Sequence, residues 1–181
     1  EIKQGQQEEA LEALEFVISQ PTSGFTENSL LQAARISKKL EIWDKALAHY
    51  TRLADEAESK DIQLEALEGM TDCSFKLEQY AEAITSAMKM LASEKVDDHR
   101  INKAHYVMAK SYMAMDNIEN ARLEFKIAEK LSNTEQAAEA KYMVAYIDFM
   151  TERLNEAENG VFELSDNYGS HDYWVARGFL L

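Results

Sequence analysis

Five alanines recur along the chain at nearly constant spacing. They are Ala10, Ala46, Ala83, Ala121 and Ala157, separated by 36, 37, 38 and 36 residues. Self-similarity at such a period marks a chain built from stacked supersecondary units. Three residues before the last four alanines stand Trp43, Tyr80, Ile118 and Leu154. Four residues after them come Tyr50, Ala87, Phe125 and Val161, and seven after them Leu53, Met90, Ala128 and Leu164. Offsets of three, four and seven place all of these on one face of a helix. Twelve residues before the alanines stand Ala34, Thr71, Ala109 and Ala145, all small. Small residues at two points per unit let helices cross closely, and bulky residues one turn away fill the grooves beside the crossing.

Each unit reads as two antiparallel helices. In His105–Ala128 the apolar stripe Met108, Ala109, Tyr112, Met115 breaks at Asp116-Asn117 and restarts at Ile118, Ala121 and Phe125. Asp and Asn favour a turn there. Glu1–Gly5 reads as a frayed end, followed by a helix whose stripe is Gln7, Ala10, Leu14 and Val17. Pro21-Thr22-Ser23-Gly24 stops it. Thr26 is the expected N-cap of a helix to about Leu40, and Trp43 opens another to about Ala57. Further helices are expected at 61–77, 79–92, 98–115, 117–131, 135–151 and 154–168, with a last one starting near His171 and still running at Leu181.

Composition narrows the function. One Pro and six Gly are too few for a turn-rich β fold, and 46% hydrophobic residues suffice for a sizeable core. A formal charge of −14 argues against nucleic acid, which needs a clustered positive surface. No apolar run approaches the length that membrane insertion requires. The chain begins without Met or a signal-like segment, which reads as a processed or internal piece. Cys73 stands alone, so no intramolecular disulfide forms, and the compartment stays open.

No catalytic or cofactor chemistry is apparent. The histidines His49, His99, His105 and His171 form no metal-ligand spacing. His105 falls on an inward stripe and reads as a packed structural residue. Asp97-Asp98-His99 precedes a helix and reads as N-capping rather than a metal site. Cys73 reads as core, since a catalytic thiol needs a base and an electropositive setting. Glu8, Glu9, Glu12 and Glu15 read as a solvated face, and the methionines as core filler. No Gly-rich phosphate loop is present. The expectation is no enzyme, no cofactor and no metal.

The unit pattern resembles the tetratricopeptide repeat (TPR) family over about 27–168. Small residues stand at the family's Gly/Ala position, Ala at its later position, and Tyr112 and Phe125 match its aromatics. The period is longer than the family's. The terminal Pro position holds Glu58, Lys95, Asn133 and Gly169, and the first aromatic position holds Leu30, Leu67, His105 and Lys141. The resemblance implies an all-α fold, a right-handed α-α superhelix (a TPR-like solenoid of antiparallel helix pairs). The expected units are 27–60, 64–97, 102–135 and 138–170. Residues 1–20 match the second helix of a preceding unit, and 171–181 the first helix of a following one. Neither end has a polar cap, so an internal fragment of a longer array is expected, with end-mediated homodimers through Phe179-Leu180-Leu181.

The resemblance also implies that first helices line a concave groove. Its facing positions are Asn28, Leu31, Arg35, Lys38 and Lys39; Glu65, Glu68, Asp72, Phe75 and Lys76; Lys103, Tyr106, Lys110, Met113 and Ala114; Glu139, Tyr142, Tyr146, Phe149 and Met150. They carry six basic and four acidic residues against −14 for the whole chain. The candidate partner-binding residues are Arg35, Lys38, Lys39, Phe75, Tyr106, Lys110, Met113, Tyr142, Tyr146 and Phe149. Their aromatics serve an interface or pack against neighbouring helices, and both readings stand. The carboxylate clamp known in the family is not expected, because Leu31 and Arg35 occupy its positions.

The leading expectation is a non-enzymatic scaffold. It holds a protein or peptide segment that combines apolar or aromatic residues with Asp or Glu. The alternatives are an architectural element that self-assembles and a regulatory repeat domain of a larger protein. The looser resemblance to long bacterial TPR proteins favours the cell envelope or periplasm over the cytoplasm.

Overall fold

A computed structural model describes residues 2–130 and 134–181, with side chains described from Gly5 onward. Among these residues the fold is all-α. The chain divides into two compact units, Glu1–Val96 and Asp97–Leu181.

The first unit holds α1 (Ile2–Ser19), α2 (Thr26–Lys39), α3 (Trp43–Glu56), α4 (Lys60–Lys76) and α5 (Tyr80–Leu91). Each packs on the next in sequence. The core gathers Leu30, Ala34, Ala46, Tyr50, Leu53, Ala66 and Cys73, with Trp43 and Ile18 packed against it. Ala34, Ala46, Thr71 and Ala83 are fully buried, as close crossings require. Gly69 of α4 is another such point. The Tyr50 ring lies well inside contact distance of where a Cβ on Gly69 would stand, so only glycine lets the ring seat on the α4 backbone.

The second unit holds α6 (Asp98–Ala114), α7 (Ile118–Ala128), α8 (Glu135–Met150), α9 (Leu154–Asn167) and α10 (Asp172–Gly178). One cluster joins Ala109, Ala121, Phe125 and Ala128 to Ala140, Val144 and Ile147 of α8. A second joins Ala137, Ala138 and Tyr142 to Leu164, Tyr168 and Trp174. Side chains close helix ends. The Asn102 amide donates to the Ala128 carbonyl at 2.5 Å, and the Tyr168 hydroxyl donates to the Glu129 carbonyl. Asp97 caps α6 by accepting from the Arg100 N–H at 2.8 Å, as its position before the helix implied.

The turn within each helix pair has one geometry. Glu41, Glu78, Asp116 and Glu152 take left-handed backbone, with φ of 59°, 60°, 59° and 60°. The N–H of the following residue donates five residues back: Ile42 to Ser37, Gln79 to Ser74, Asn117 to Tyr112 and Arg153 to Asp148. This is the Schellman closure of a helix C-terminus.

Four expectations change. Helix α1 begins at Ile2, so residues 2–5 are helical rather than frayed, and Glu1 lies outside the described residues. Phe25, not Thr26, holds the N-cap position of α2, and Thr26 Oγ1 instead accepts from the Ser23 N–H at 2.9 Å, bracing the turn ahead of the helix. The last helix ends at Gly178. Single-turn bonds, Leu180 N–H to the Arg177 carbonyl and Leu181 N–H to the Gly178 carbonyl, replace the helix beyond it. Helix α7 ends at Ala128, short of the expected 131, and residues 131–133 lie outside the described residues.

Candidate functional site

In the first unit, two of the three candidate cations are engaged. Arg35 on α2 makes a two-pronged pair with Glu65 on α4, at 2.6 and 2.7 Å. Lys38 on α2 bonds Asp72 on α4. The expected positive patch of Arg35, Lys38 and Lys39 is therefore two-thirds neutralised by the next first helix. The carboxylates face it because they sit at groove register one repeat further on. Lys39 is exposed. Phe75 is half-buried and stands edge-on to Tyr80, with ring centroids 5.8 Å apart. Lys76 lies over the Trp43 ring at 5.8 Å.

The second unit repeats this first-helix pairing. Lys110 on α6 bonds Glu139 on α8 at 3.0 Å, and the Tyr106 hydroxyl donates to the same carboxylate at 2.6 Å. Lys110 also lies over the Tyr106 ring, and Tyr106 stands edge-on to Phe125. Burial, reinforced by the Glu139 carboxylate, pushes the Tyr106 phenol well above its ordinary range. Met113 packs against the α6–α8 core.

Tyr142 is not an exposed anchor. It is 3% exposed, covered by Trp174 at 5.5 Å and by the Arg177 guanidinium at 4.7 Å from its centroid. The sequence places α10 after α9 but does not say that it returns to α8. Tyr146 is half-buried and stacked on Tyr142 at 6.1 Å. Phe149 is 39% and Met150 60% exposed, so the C-terminal end of α8 is the open apolar part of the candidate set.

Two features escaped the sequence reading. Asp148 is 2% exposed and bridges Arg122 of α7, at 2.6 and 2.9 Å, and Arg153 of the α8–α9 turn, at 2.7 Å. Arg153 reaches on to Glu119 of α7 at 3.1 Å. Burial opposes ionisation of Asp148, but the two guanidinium groups outweigh it and hold the carboxyl below the usual range. The available signal was register. Ser37, Ser74 and Ser111 occupy the same buried place in the earlier first helices. The second feature is an open apolar cleft of about 430 Å³ between the end of α8, α9 and α10.

His105 Nδ1 lies 2.6 Å from Glu124 on α7, a packed and paired histidine. Cys73 is fully buried. Among the described residues, no group of three or more His, Cys, Asp or Glu is placed to hold a metal ion, and no helix is long and apolar enough to cross a membrane.

Paired helices, a recurrent Schellman turn and ion pairs between consecutive first helices define a TPR-like helical-repeat protein. Solved structures share the fold. A crystal structure of MamA superposes with a TM-score of 0.74 at 13% identity, covering 94% of each chain. MamA from Desulfovibrio magneticus RS-1, residue 41 to the end, gives 0.72 at 16% identity over 94% of this chain and 90% of that one. A Podosopora anserina kinesin light chain with nearly identical TPR-like repeats gives 0.66 at 14% identity over 93% and 90%. No protein-family model matches the sequence, and no curated protein matches it either.

Proposed function

We propose that this chain is a non-enzymatic protein-interaction scaffold that holds a peptide or helix against the faces of its first helices. The observation that carries this is the end of α8, where half-buried Tyr146 adjoins exposed Phe149 and Met150 at groove register. Aromatic and methionine side chains standing open beside charge are interface material. The TPR-like fold supports the same reading by analogy. On the second unit, apolar or aromatic residues of the ligand meet Tyr146 and Phe149; on the first unit, by itself, exposed Lys39 offers a cation to Asp or Glu. Lys38 and Arg35 contribute less, because Asp72 and Glu65 already compensate them.

The test uses a partner recovered by pull-down with the full chain. Tyr146→Ala weakens binding more than tenfold at any salt concentration, since aromatic anchors contribute roughly 2 kcal/mol or more. Lys39→Ala weakens it modestly and chiefly at low ionic strength. Normal binding by Tyr146→Ala, with loss on changing exposed residues of the second helices such as Leu123, refutes the reading.

A further inference from the structure

We propose that Arg177 on α10 binds a side-chain carboxylate of the segment held on the second unit, and so selects a ligand with Asp or Glu between apolar residues. The proposal rests on the scaffold reading and names the group that the ligand must carry there.

Arg177 differs from the other five arginines of the chain. Arg35 bonds Glu65, Arg52 bonds Glu56, Arg100 bonds Asp97, and Arg122 and Arg153 both bond Asp148. Arg177 is exposed, and among the described residues no carboxylate pairs with it, although the chain carries 33 Asp and Glu. Its guanidinium lies over three rings instead, with centroids 4.7 Å away for Tyr142, 5.6 Å for Trp174 and 5.8 Å for Tyr173. Rings from two helices hold the planar fork in place, so little freedom is lost when its N–H donors meet an anion. The Trp174 indole N–H, in the same cluster, is buried without an acceptor. The cluster therefore has donors in excess.

The groove register explains why no acid meets it. Asn28, Glu65, Lys103 and Glu139, at one groove position of successive first helices, are spaced 37, 38 and 36 residues, and Arg177 follows Glu139 by 38. In the first unit Glu65 is held by Arg35, on the preceding first helix. In the second unit Glu139 is held by Tyr106 and Lys110, again on the preceding first helix. The counter-charge comes from the helix before, not from the one after. For Arg177 that helix is α8, and it brings Tyr142 and Tyr146, 36 residues after Tyr106 and Lys110. Acid has become base at one position, and base has become tyrosine at the other. The earlier steps compensate themselves, whereas this one presents a cation. Tyr146 stacks on the same Tyr142 ring, and Phe149 follows one turn along α8. A carboxylate on Arg177 thus lies beside the open aromatic surface, which suits an acidic residue flanked by apolar ones. One guanidinium matches one carboxylate, and a chain of net charge −14 repels a polyanion.

The probe is the blocked peptide acetyl-Gly-Ala-Phe-Glu-Leu-Ala-Gly-amide, titrated into the isotope-labelled full chain. The arginine Nε–H resonances are followed by NMR, with that of Arg177 assigned by its absence in Arg177→Lys. The Arg177 resonance shifts saturably, and replacing the peptide's Glu by Gln weakens binding roughly tenfold, as the loss of a charge-assisted hydrogen bond requires. Arg177→Gln, an exposed change whose folding is checked by circular dichroism, abolishes that preference, and Arg177→Lys retains part of it. Tyr146→Ala weakens both peptides and keeps their ratio. Binding that depends on Tyr146 but shows no preference for Glu refutes this inference alone. A preference for Glu that needs Arg177 but is indifferent to Tyr146→Ala refutes the Tyr146 reading alone. No saturable shift with the Glu peptide, or a preference for Glu that survives Arg177→Gln, overturns the inference. Equal binding by the Gln peptide with a free C-terminal carboxylate overturns it too, since a chain end is then the ligand. So does an equal shift with acetate at matched concentration, which marks a general anion site.

Discussion

Asp148 occupies a place that the other first helices give to serine, and its charge is satisfied by two arginines from different elements. Removing one member of such a buried network costs about 3–5 kcal/mol, because the remaining charges stay desolvated. Asp148→Asn therefore lowers stability by roughly 3 kcal/mol at neutral pH, read from denaturant midpoints. The pH dependence follows from the depressed carboxyl. A carboxyl with a lower pKa folded than unfolded contributes stability that is present above the unfolded value, about 3.9, and lost as pH falls through the folded one. The wild type should lose stability steeply across that acid window, and Asp148→Asn should flatten the slope. An unchanged acid slope would show that the arginines do not hold this carboxylate charged.

The turns joining paired helices expose a trade-off within an element. A non-glycine residue in left-handed backbone costs about 1–2 kcal/mol, and Glu41, Glu78, Asp116 and Glu152 all accept that conformation. Glycine removes the cost but adds about 0.5–1 kcal/mol of backbone entropy to the unfolded chain. The first effect wins. Glu78→Gly should raise the unfolding free energy by roughly 0.5–1 kcal/mol. Asp116→Gly should gain less, because Asp tolerates this region better. A loss of stability in Glu78→Gly would mean that the acidic side chain itself closes the turn.

Across the whole molecule, charge is the dominant imbalance. The chain carries −14, while many of its ion pairs are exposed, such as Lys60–Glu94 and Lys95–Asp61. Exposed pairs are worth about 0–1 kcal/mol each and are screened by salt, as is self-repulsion. With net charge this far from zero, relief of repulsion outweighs the weakened pairs. Raising sodium chloride from about 10 to 150 mM, which shortens the Debye length to about 8 Å, should raise the thermal midpoint. A falling midpoint would place the ion pairs above self-repulsion.

The sequence by itself determined the helix pairs, their turns and the closely packed alanines. Those features are written at spacings of three, four and seven residues, where helical geometry is local, and a period near 37 repeats the same message. Asp97 as a cap, His105 as a packed residue and Cys73 as core were legible for the same reason. The state of the candidate site was not. Arg35 and Lys38 read as free cations until Glu65 and Asp72, 30 and 34 residues away, met them. Tyr142 read as an anchor until Trp174 and Arg177 closed over it. Only the tertiary structure decided which charges are compensated and which apolar faces stay open. Both depend on which helix lands beside which, and a chain of near-equivalent helices does not spell that out locally.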